Sequence, residues 1–296
     1  MNYNLNNDLI NEVVAQLSEP ESYRGLYRHA PEGQPLPSQE VLGECLALVQ
    51  AIIFPGYYGL PTIHDSTIRY HIGVHVERLH RLLSKQILYS LCFARQEGSD
   101  CQEEEKRSRA LALTAQFVEY LPELRRLLST DATAAYEGDP AASSMGEVIC
   151  CYPSLLALTY HRTAHRLHQI GVPLLPRMIA ELAHRLTGID IHPAASIGTH
   201  CFIDHGTGVV IGATCIIGNN VKLYQGVTLG AKSFPREATG ELKRGLDRHP
   251  ILGDNVVIYS HATLLGRITI GSGSRIGANL WITEDIPSGT VLSQKN

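Results

Sequence analysis

The sequence contains no apolar run approaching the roughly 20 residues that cross a bilayer, so no membrane-spanning helix is expected. It has no surplus of positive charge: the formal net charge is −4, which gives no general attraction to nucleic acid. The opening stretch MNYNLNNDLINEVV lacks a basic segment followed by an apolar one, so no secretory leader is expected. The seven cysteines lack close metal-type pairing, apart from the adjacent Cys150 and Cys151. They read as free thiols in a reducing cytoplasm. What remains is an ordinary globular composition over 296 residues, enough for one large core or two modest ones.

The pattern changes character near Gly188. Before it the periods are helical. Asp65 to about Cys92 repeats apolar residues at three and four, with Asp65 and Ser66 available as N-caps. A second helix is expected from about Cys101 to Leu128, opening on the acidic run Glu103–Glu105. A third spans Ser154 to about Ile170, ended by Gly171, and a fourth spans Leu174 to Thr187, ended by Gly188. The first fifty residues also read as helical, broken by the loop Pro31–Pro37.

After Gly188 the period becomes six. Ile191, Ile197, Ile203, Val209, Cys215, Val221 and Val227 are all apolar, and the count resumes with Leu252, Ile258, Leu264, Ile270, Ile276 and Ile282. Such a register marks a parallel β-helix in which three hexads close one turn. Val227 and Leu252 are 25 residues apart, which is not a multiple of six, so the segment Gly230–Pro250 must leave the coil as a loop. That loop carries Lys232, Arg236, Lys243, Arg244 and Arg248, and insertions in repeat folds map to loops, often on the binding face. The expected architecture is α+β: an α-helical domain over 1–188, then a β-helix over 189–296 with one long insertion at about 230–250. A coil cannot cover its own ends and flat faces, so a cap or self-association is expected.

Polar clusters interrupt the rhythm at Asp204-His205, at Asp247-Arg248-His249-Pro250 and at Asp190-Ile191-His192-Pro193, with Asp139-Pro140-Ala141 upstream. Histidine is the side chain best suited to proton transfer near neutral pH, and an adjacent carboxylate can fix its tautomer. An arginine beside a histidine suits a carboxylate ligand. Singly, each such histidine is an ordinary surface residue. Clustered within a repeat, they point to a site.

Residue by residue, this half resembles serine acetyltransferase. The matching stretches are DIHPAASIG (Asp190–Gly198), DHGTG (Asp204–Gly208), QGVTLG (Gln225–Gly230) and DRHP (Asp247–Pro250), with Asp139-Pro140-Ala141 and Tyr152-Pro153 in the helical part. The long insertion containing SFP resembles the longer-loop branch of that family. The resemblance implies a left-handed β-helix, a trimer or a dimer of trimers, and active sites between neighbouring coils. It implies transfer of an acetyl group from acetyl-CoA, as co-substrate, to the hydroxyl of L-serine, the first step of cysteine biosynthesis. His205 would be the general base and Asp190 its orienting partner. Asp139 and Asp204 would take the amino group, while Arg248 and His249 would take the carboxylate, with His249 or a backbone N–H serving the oxyanion. Ala231, Ser260, Arg275 and Ala278 would border acetyl-CoA. Asp190 precedes His205 by 15 residues where a turn takes 18, so their pairing requires a reach across a corner. No protein nucleophile and no metal are required.

Rival readings keep other residues in view. His161 and His165 are four apart, as in helical zinc sites, but Arg162 stands where H-E-x-x-H has its glutamate. His200 and His205 resemble part of the zinc set of γ-class carbonic anhydrases. Cys201 and Cys215 read as core residues rather than nucleophiles, and Trp281 as packing. An acyltransferase for another amino acid or an amino sugar, and a binding module with a degenerate site, are the remaining alternatives. Many family members carry a tail whose last isoleucine docks into O-acetylserine sulfhydrylase; here the sequence reads Val291 to Asn296 without one, so little or no such complex is expected.

Overall fold

The computed structural model describes residues 7–27, 36–59, 63–94, 103–233, 235–237, 239–243 and 245–293. Cys101, Arg244, Pro31–Pro35 and the terminal residues 294–296, each part of an expectation above, lie outside them. The chain divides into two compact units, Met1–Pro35 and Leu36–Asn296. The first contains helix α1 (Asn7–Leu17), none of whose residues is buried. In the second, helices α2 (Gln39–Ile53), α3 (Ile68–Phe93), α4 (Glu103–Gly138), α5 (Met145–Cys151), α6 (Pro153–Gln169) and α7 (Leu175–Thr187) precede the strands.

Two helix limits differ from expectation. The N-cap of α3 is Thr67, not Asp65 or Ser66, and it makes no side-chain cap bond. His64 O accepts from the N–H groups of Thr67 and Ile68, so a turn occupies 65–67 and the helix starts beyond it. Helix α4 runs ten residues past Leu128, to Gly138, because Leu121, Leu124, Leu128, Ala132 and Ala135 continue one buried face. The polar run Ser129-Thr130-Asp131 hides that continuation in sequence. Asp131 lies on the buried face because a partner meets it: Arg162 of α6 donates from Nε (2.7 Å) and Nη2 (2.9 Å) to its two carboxylate oxygens. The same guanidinium donates to the carbonyls of Ile197 (3.1 Å) and Gly198 (2.6 Å), and Asp131 Oδ1 accepts from Cys201 N (3.0 Å). This clasp fixes two helices to the first turn of the coil. Burial disfavours the Arg162 charge, but Asp131 overcomes it and holds the guanidinium above its usual pKa.

Helix α7 ends at Gly188, whose left-handed φ of 71° turns the chain into the coil. Fourteen short strands follow among the described residues. Strands β1 (Asp190–Ile191), β4 (Val210–Ile211), β7 (Thr228–Gly230), β10 (Thr263–Leu265) and β13 (Trp281–Ile282) form the first face. The second face holds β2 (Ser196–Ile197), β5 (Ile216–Ile217), β8 (Ile251–Leu252) and β11 (Thr269–Ile270). The third holds β3 (Phe202–Asp204), β6 (Lys222–Tyr224), β9 (Val257–Ile258), β12 (Arg275–Ile276) and β14 (Val291–Leu292). Every pairing is parallel, and the architecture is a left-handed β-helix behind a helical region.

The thirteen apolar hexad residues are not one register. Ile191 pairs with Ile211, 20 residues on, whereas Ile211 pairs with Leu229 after 18. The first turn therefore carries two extra residues, and they fall in the segment after Ile203. Val209, Cys215, Val221 and Val227 are two residues ahead of the strand positions Ile211, Ile217, Leu223 and Leu229. Both sets are buried, so the apolar count runs on through the slip. Burying each such side chain is worth about 1.5–3 kcal/mol, which holds the register on either side of the insert. The second break follows β7, where Leu229 and Leu252 are 23 residues apart instead of six and 17 residues leave the coil. Trp281 is not packed inside: strand alternation turns Ile282 inward and leaves Trp281 69% exposed.

Candidate active site

The two-residue insert makes a corner between the third and first faces. Within it His205 (φ 57°), Gly206 (φ 82°) and Gly208 (φ 79°) all take the left-handed region. For a histidine this conformation is uncommon, and glycines on the same corner absorb the rest of the reversal. The outcome is a His205 side chain that is 73% exposed, next to an Asp204 that is buried on β3.

The helical region supplies the rest of this corner. Gly138 at the end of α4 lies against Phe202, where an added Cβ would be 2.8 Å from its ring. Asp139 follows directly. Its Oδ2 accepts from the Tyr152 hydroxyl (2.5 Å) and its Oδ1 from Ala141 N (2.8 Å). Those two hydrogen bonds, with help from Lys222 and His205, hold the Asp139 carboxyl below its usual pKa. The same contact pushes the Tyr152 phenol up to about 12, so it stays a neutral donor. Lys222 joins the two halves. Its Nζ donates to Gly138 O (2.7 Å), pairs with Asp204 Oδ2 (3.2 Å) and lies over the rings of Phe202 (4.9 Å) and Tyr224 (4.5 Å). Burial works against the ammonium, yet hydrogen bonds to Tyr224 and Asp204 raise its pKa. Asp204 therefore has one oxygen engaged by Lys222, while its Oδ1 is 3.7 Å from His205 Nε2. Lys222 had no role in the sequence reading, where nothing marks a lone lysine in a strand, and Tyr152 entered it only within the matching stretch Tyr152-Pro153.

A second corner, between the first and second faces, carries Arg248 and His249. The inserted loop returns there, and His249 is buried. Its ring lies against Gly212, where a Cβ would be 2.0 Å from His249 Cδ2. Thr214 N donates to His249 Nδ1 (3.1 Å), and the Thr214 hydroxyl sits 2.9 Å from the same nitrogen. That hydroxyl also accepts from the backbone N–H groups of Arg248 (3.0 Å) and His249 (3.2 Å). Its own proton is thus directed to Nδ1. Arg267 ties the return down by donating to His249 O (3.0 Å) and to Thr214 O. Burial, Arg248 and Arg267 together lower the His249 pKa.

The remaining candidates distribute as follows. Asp190 is half-buried on β1, and no hydrogen bond or ion pair joins it to His205; its charge acts on His192 instead. Ser260 and Ala278 occupy the position of His205 two and three turns further along the same corner, and Arg275 is exposed on the third face beside them. Ala231 stands apart from those three, just after β7, at the start of the loop. His200 is on the corner between the second and third faces, away from His205, and donates its N–H to Thr130. His161 is fully buried and stacked on His165 at 5.6 Å; burial first, then His165, drives its pKa well down. Among the described residues no three metal-ligating side chains are grouped. The thiols of Cys201 and Cys215 are buried and pushed up to about 12, which makes both poor nucleophiles. All six described cysteines are free thiols.

The sequence profile of the bacterial transferase hexapeptide (six repeats) matches residues 249–284. The chain is 48% identical over 289 residues to a serine acetyltransferase (plasmid) of Synechococcus elongatus, covering 96% of this chain and 90% of that one. A serine acetyltransferase of Mycobacterium tuberculosis is 48% identical over 162 residues, 55% of this chain and 67% of that one. Among solved structures, Entamoeba histolytica serine acetyltransferase 1 in complex with L-cysteine superposes with a TM-score of 0.72 at 35% identity, covering 96% of this chain and 98% of that one. Soybean serine acetyltransferase complexed with serine superposes with a TM-score of 0.54 at 32% identity, covering 88% and 98%.

Proposed function

From the premise that this chain belongs to the serine acetyltransferase family, we propose that it moves the acetyl group of acetyl-CoA to the hydroxyl of L-serine with His205 as general base. The observation that carries the reading is the insert in the first turn, which holds His205 out on a corner beside Asp204, Asp139 and Tyr152. A neutral hydroxyl is a weak nucleophile, so a base must take its proton as the oxygen attacks the thioester carbon. His205 takes that proton. The C–S bond then breaks, and the proton returns to the departing thiolate, so no acyl-enzyme is formed. Asp139, kept ionised by its two donors, takes the serine ammonium together with Asp204 Oδ1. Asp190 is assigned as the orienting partner of His205, on the resemblance alone.

Arg248 and His249 are assigned to the serine carboxylate, and His249 or a backbone N–H to the developing oxyanion. They stand at the opposite edge of the first face from His205. One side of the coil takes six residues, on the order of 20 Å at ~3.3 Å per extended residue, which is too wide for a single amino acid to bridge. The site is therefore completed between copies: the His205 corner of one chain meets the His249 corner of its neighbour, in a trimer or a dimer of trimers. Ser260, Arg275 and Ala278, in line with His205, and Ala231 from the other edge border acetyl-CoA. A cytoplasmic location accompanies this reading.

An acceptor screen with acetyl-CoA and thiol detection tests it. L-serine is expected to turn over, and His205→Ala to lose about 10²- to 10⁴-fold, the usual worth of a positioned base. Unchanged turnover in that variant would falsify the assignment.

A further inference from the structure

His192 stands outside the roles assigned so far. The register pairs Ile191 with Ile211, so residues 192–194 and 212–214 hold the same three positions on successive rungs. On the first rung, Ala194 N donates to His192 Nδ1 (3.1 Å). On the second, position 212 is glycine and has no side chain to take that place. The equivalent amide, Thr214 N, donates instead to His249 Nδ1, also at 3.1 Å. The His249 ring fills the space that a side chain on Gly212 would need. The inserted loop thus returns to lay an imidazole where a second His192-like side chain would sit. Successive rungs are ~4.8 Å apart, so the two rings form consecutive steps of one column.

The hydrogen bonds also set the protons. A backbone N–H can only donate, so Nδ1 of each ring uses its lone pair and carries no proton. In the neutral imidazole the proton is then on Nε2. Both rings favour the neutral form: burial first lowers the His192 pKa, followed by Arg177 and His168, and burial, Arg248 and Arg267 lower that of His249. Asp190 opposes the shift at His192 without reversing it.

We infer that His192 and His249 act as a pair of Nε2–H donors that hold one carboxylate group, one oxygen each, with Gly212 and Thr214 as the positioning residues that place the second ring. This rests on the reading of the chain as a serine acetyltransferase and makes His192 a further binding residue for the amino-acid substrate. The pair binds the carboxylate without fixing a charge of its own, and the rigid rung sets the distance between the two donors.

Two measurements on the full-length protein test it. In the first, steady-state kinetics are compared for wild type, His192→Leu, His192→Gln and Gly212→Ala. His192→Leu and Gly212→Ala are expected to raise KM for L-serine about tenfold or more, the loss of one hydrogen bond to a charged group. KM for acetyl-CoA should stay within about twofold, and His192→Gln, which keeps a donor near Nε2, should recover most of the serine affinity. An unaltered KM for serine in His192→Leu overturns the pair. In the second, long-range ¹H–¹⁵N spectra of the wild-type imidazoles should show both rings as Nε2–H tautomers. Both Nε2 signals should move together as L-serine is added. A Nδ1–H tautomer at either ring, or movement of His249 alone, overturns the inference. If wild type does not acetylate serine, the functional reading fails by itself. Titration with acetate then decides the pair: joint movement of the two signals supports it, and movement of one or neither overturns it.

Discussion

Asp139 and Asp204 differ in the groups that neutralise them, although both face the His205 corner. Asp204 is buried and has Lys222 as counter-charge at 3.2 Å, so its ionised form is neutralised within the chain. Asp139 takes neutral donors, the Tyr152 hydroxyl and Ala141 N, and keeps a net negative charge to offer. Asp139 is therefore the stronger attractor for a substrate ammonium. Tyr152→Phe removes the first of the two donors that depress its pKa. The ionised form is the one that binds an ammonium, so raising this pKa shortens the working range from the acid side. In a His205→Ala background, where the catalytic imidazole no longer sets the acidic limb, that limb of L-serine binding should move to higher pH on adding Tyr152→Phe, with the alkaline limb in place. A profile with an unmoved acidic limb removes Asp139 from the site. Why these residues could be singled out in sequence, and Lys222 could not, follows from the same chemistry. An Asp-His pair inside an apolar repeat stands out against its neighbours. A lone lysine in a strand looks like any solvated residue until the end of α4 brings the Gly138 carbonyl to it.

At the scale of elements, the helical region and the coil are joined through Asp131 of α4 and Arg162 of α6, the latter reaching the carbonyls of Ile197 and Gly198. Breaking a buried pair from one side leaves an uncompensated charge, at a cost of about 3–5 kcal/mol. Asp131→Asn should lower the thermal midpoint sharply, whereas Asp131→Asn combined with Arg162→Met, which strands no charge, should recover part of it. Equal melting of wild type and Asp131→Asn contradicts the clasp. Much of the coil was legible because period six in apolar residues has one physical solution. The slip of two residues in the first turn was not, because positions 209, 215, 221 and 227 also point inward and are also apolar. Periodicity reports which residues are buried, and here two inward positions of each hexad are interchangeable to it. The return of His249 onto Gly212 was likewise hidden, since loop closure over 17 extra residues is decided by tertiary contacts such as those of Thr214 and Arg267. Trp281 was misplaced for the opposite reason: a large apolar side chain next to an inward isoleucine must, by strand alternation, face out.

At the scale of the whole molecule, one chain holds two half-sites. The proposed base His205 and the proposed ammonium ligand Asp139 lie at one edge of the first face, and His192 and His249, proposed to hold the carboxylate, lie at the other. The high exposure of His205 in a single chain is what an edge awaiting a neighbour requires. The central claim, that each active site joins the His205 corner of one copy to the His249 corner of the next, is tested most directly by subunit mixing. His205→Ala and His249→Ala chains, each inactive alone, are co-expressed with different tags and the mixed assemblies are isolated. In each mixed trimer about a third of the clefts, one of the three, then combine an intact His205 with an intact His249. The account predicts that activity reappears in the mixed assemblies at roughly that fraction of wild type. Mixed assemblies as inactive as their parents would contradict it.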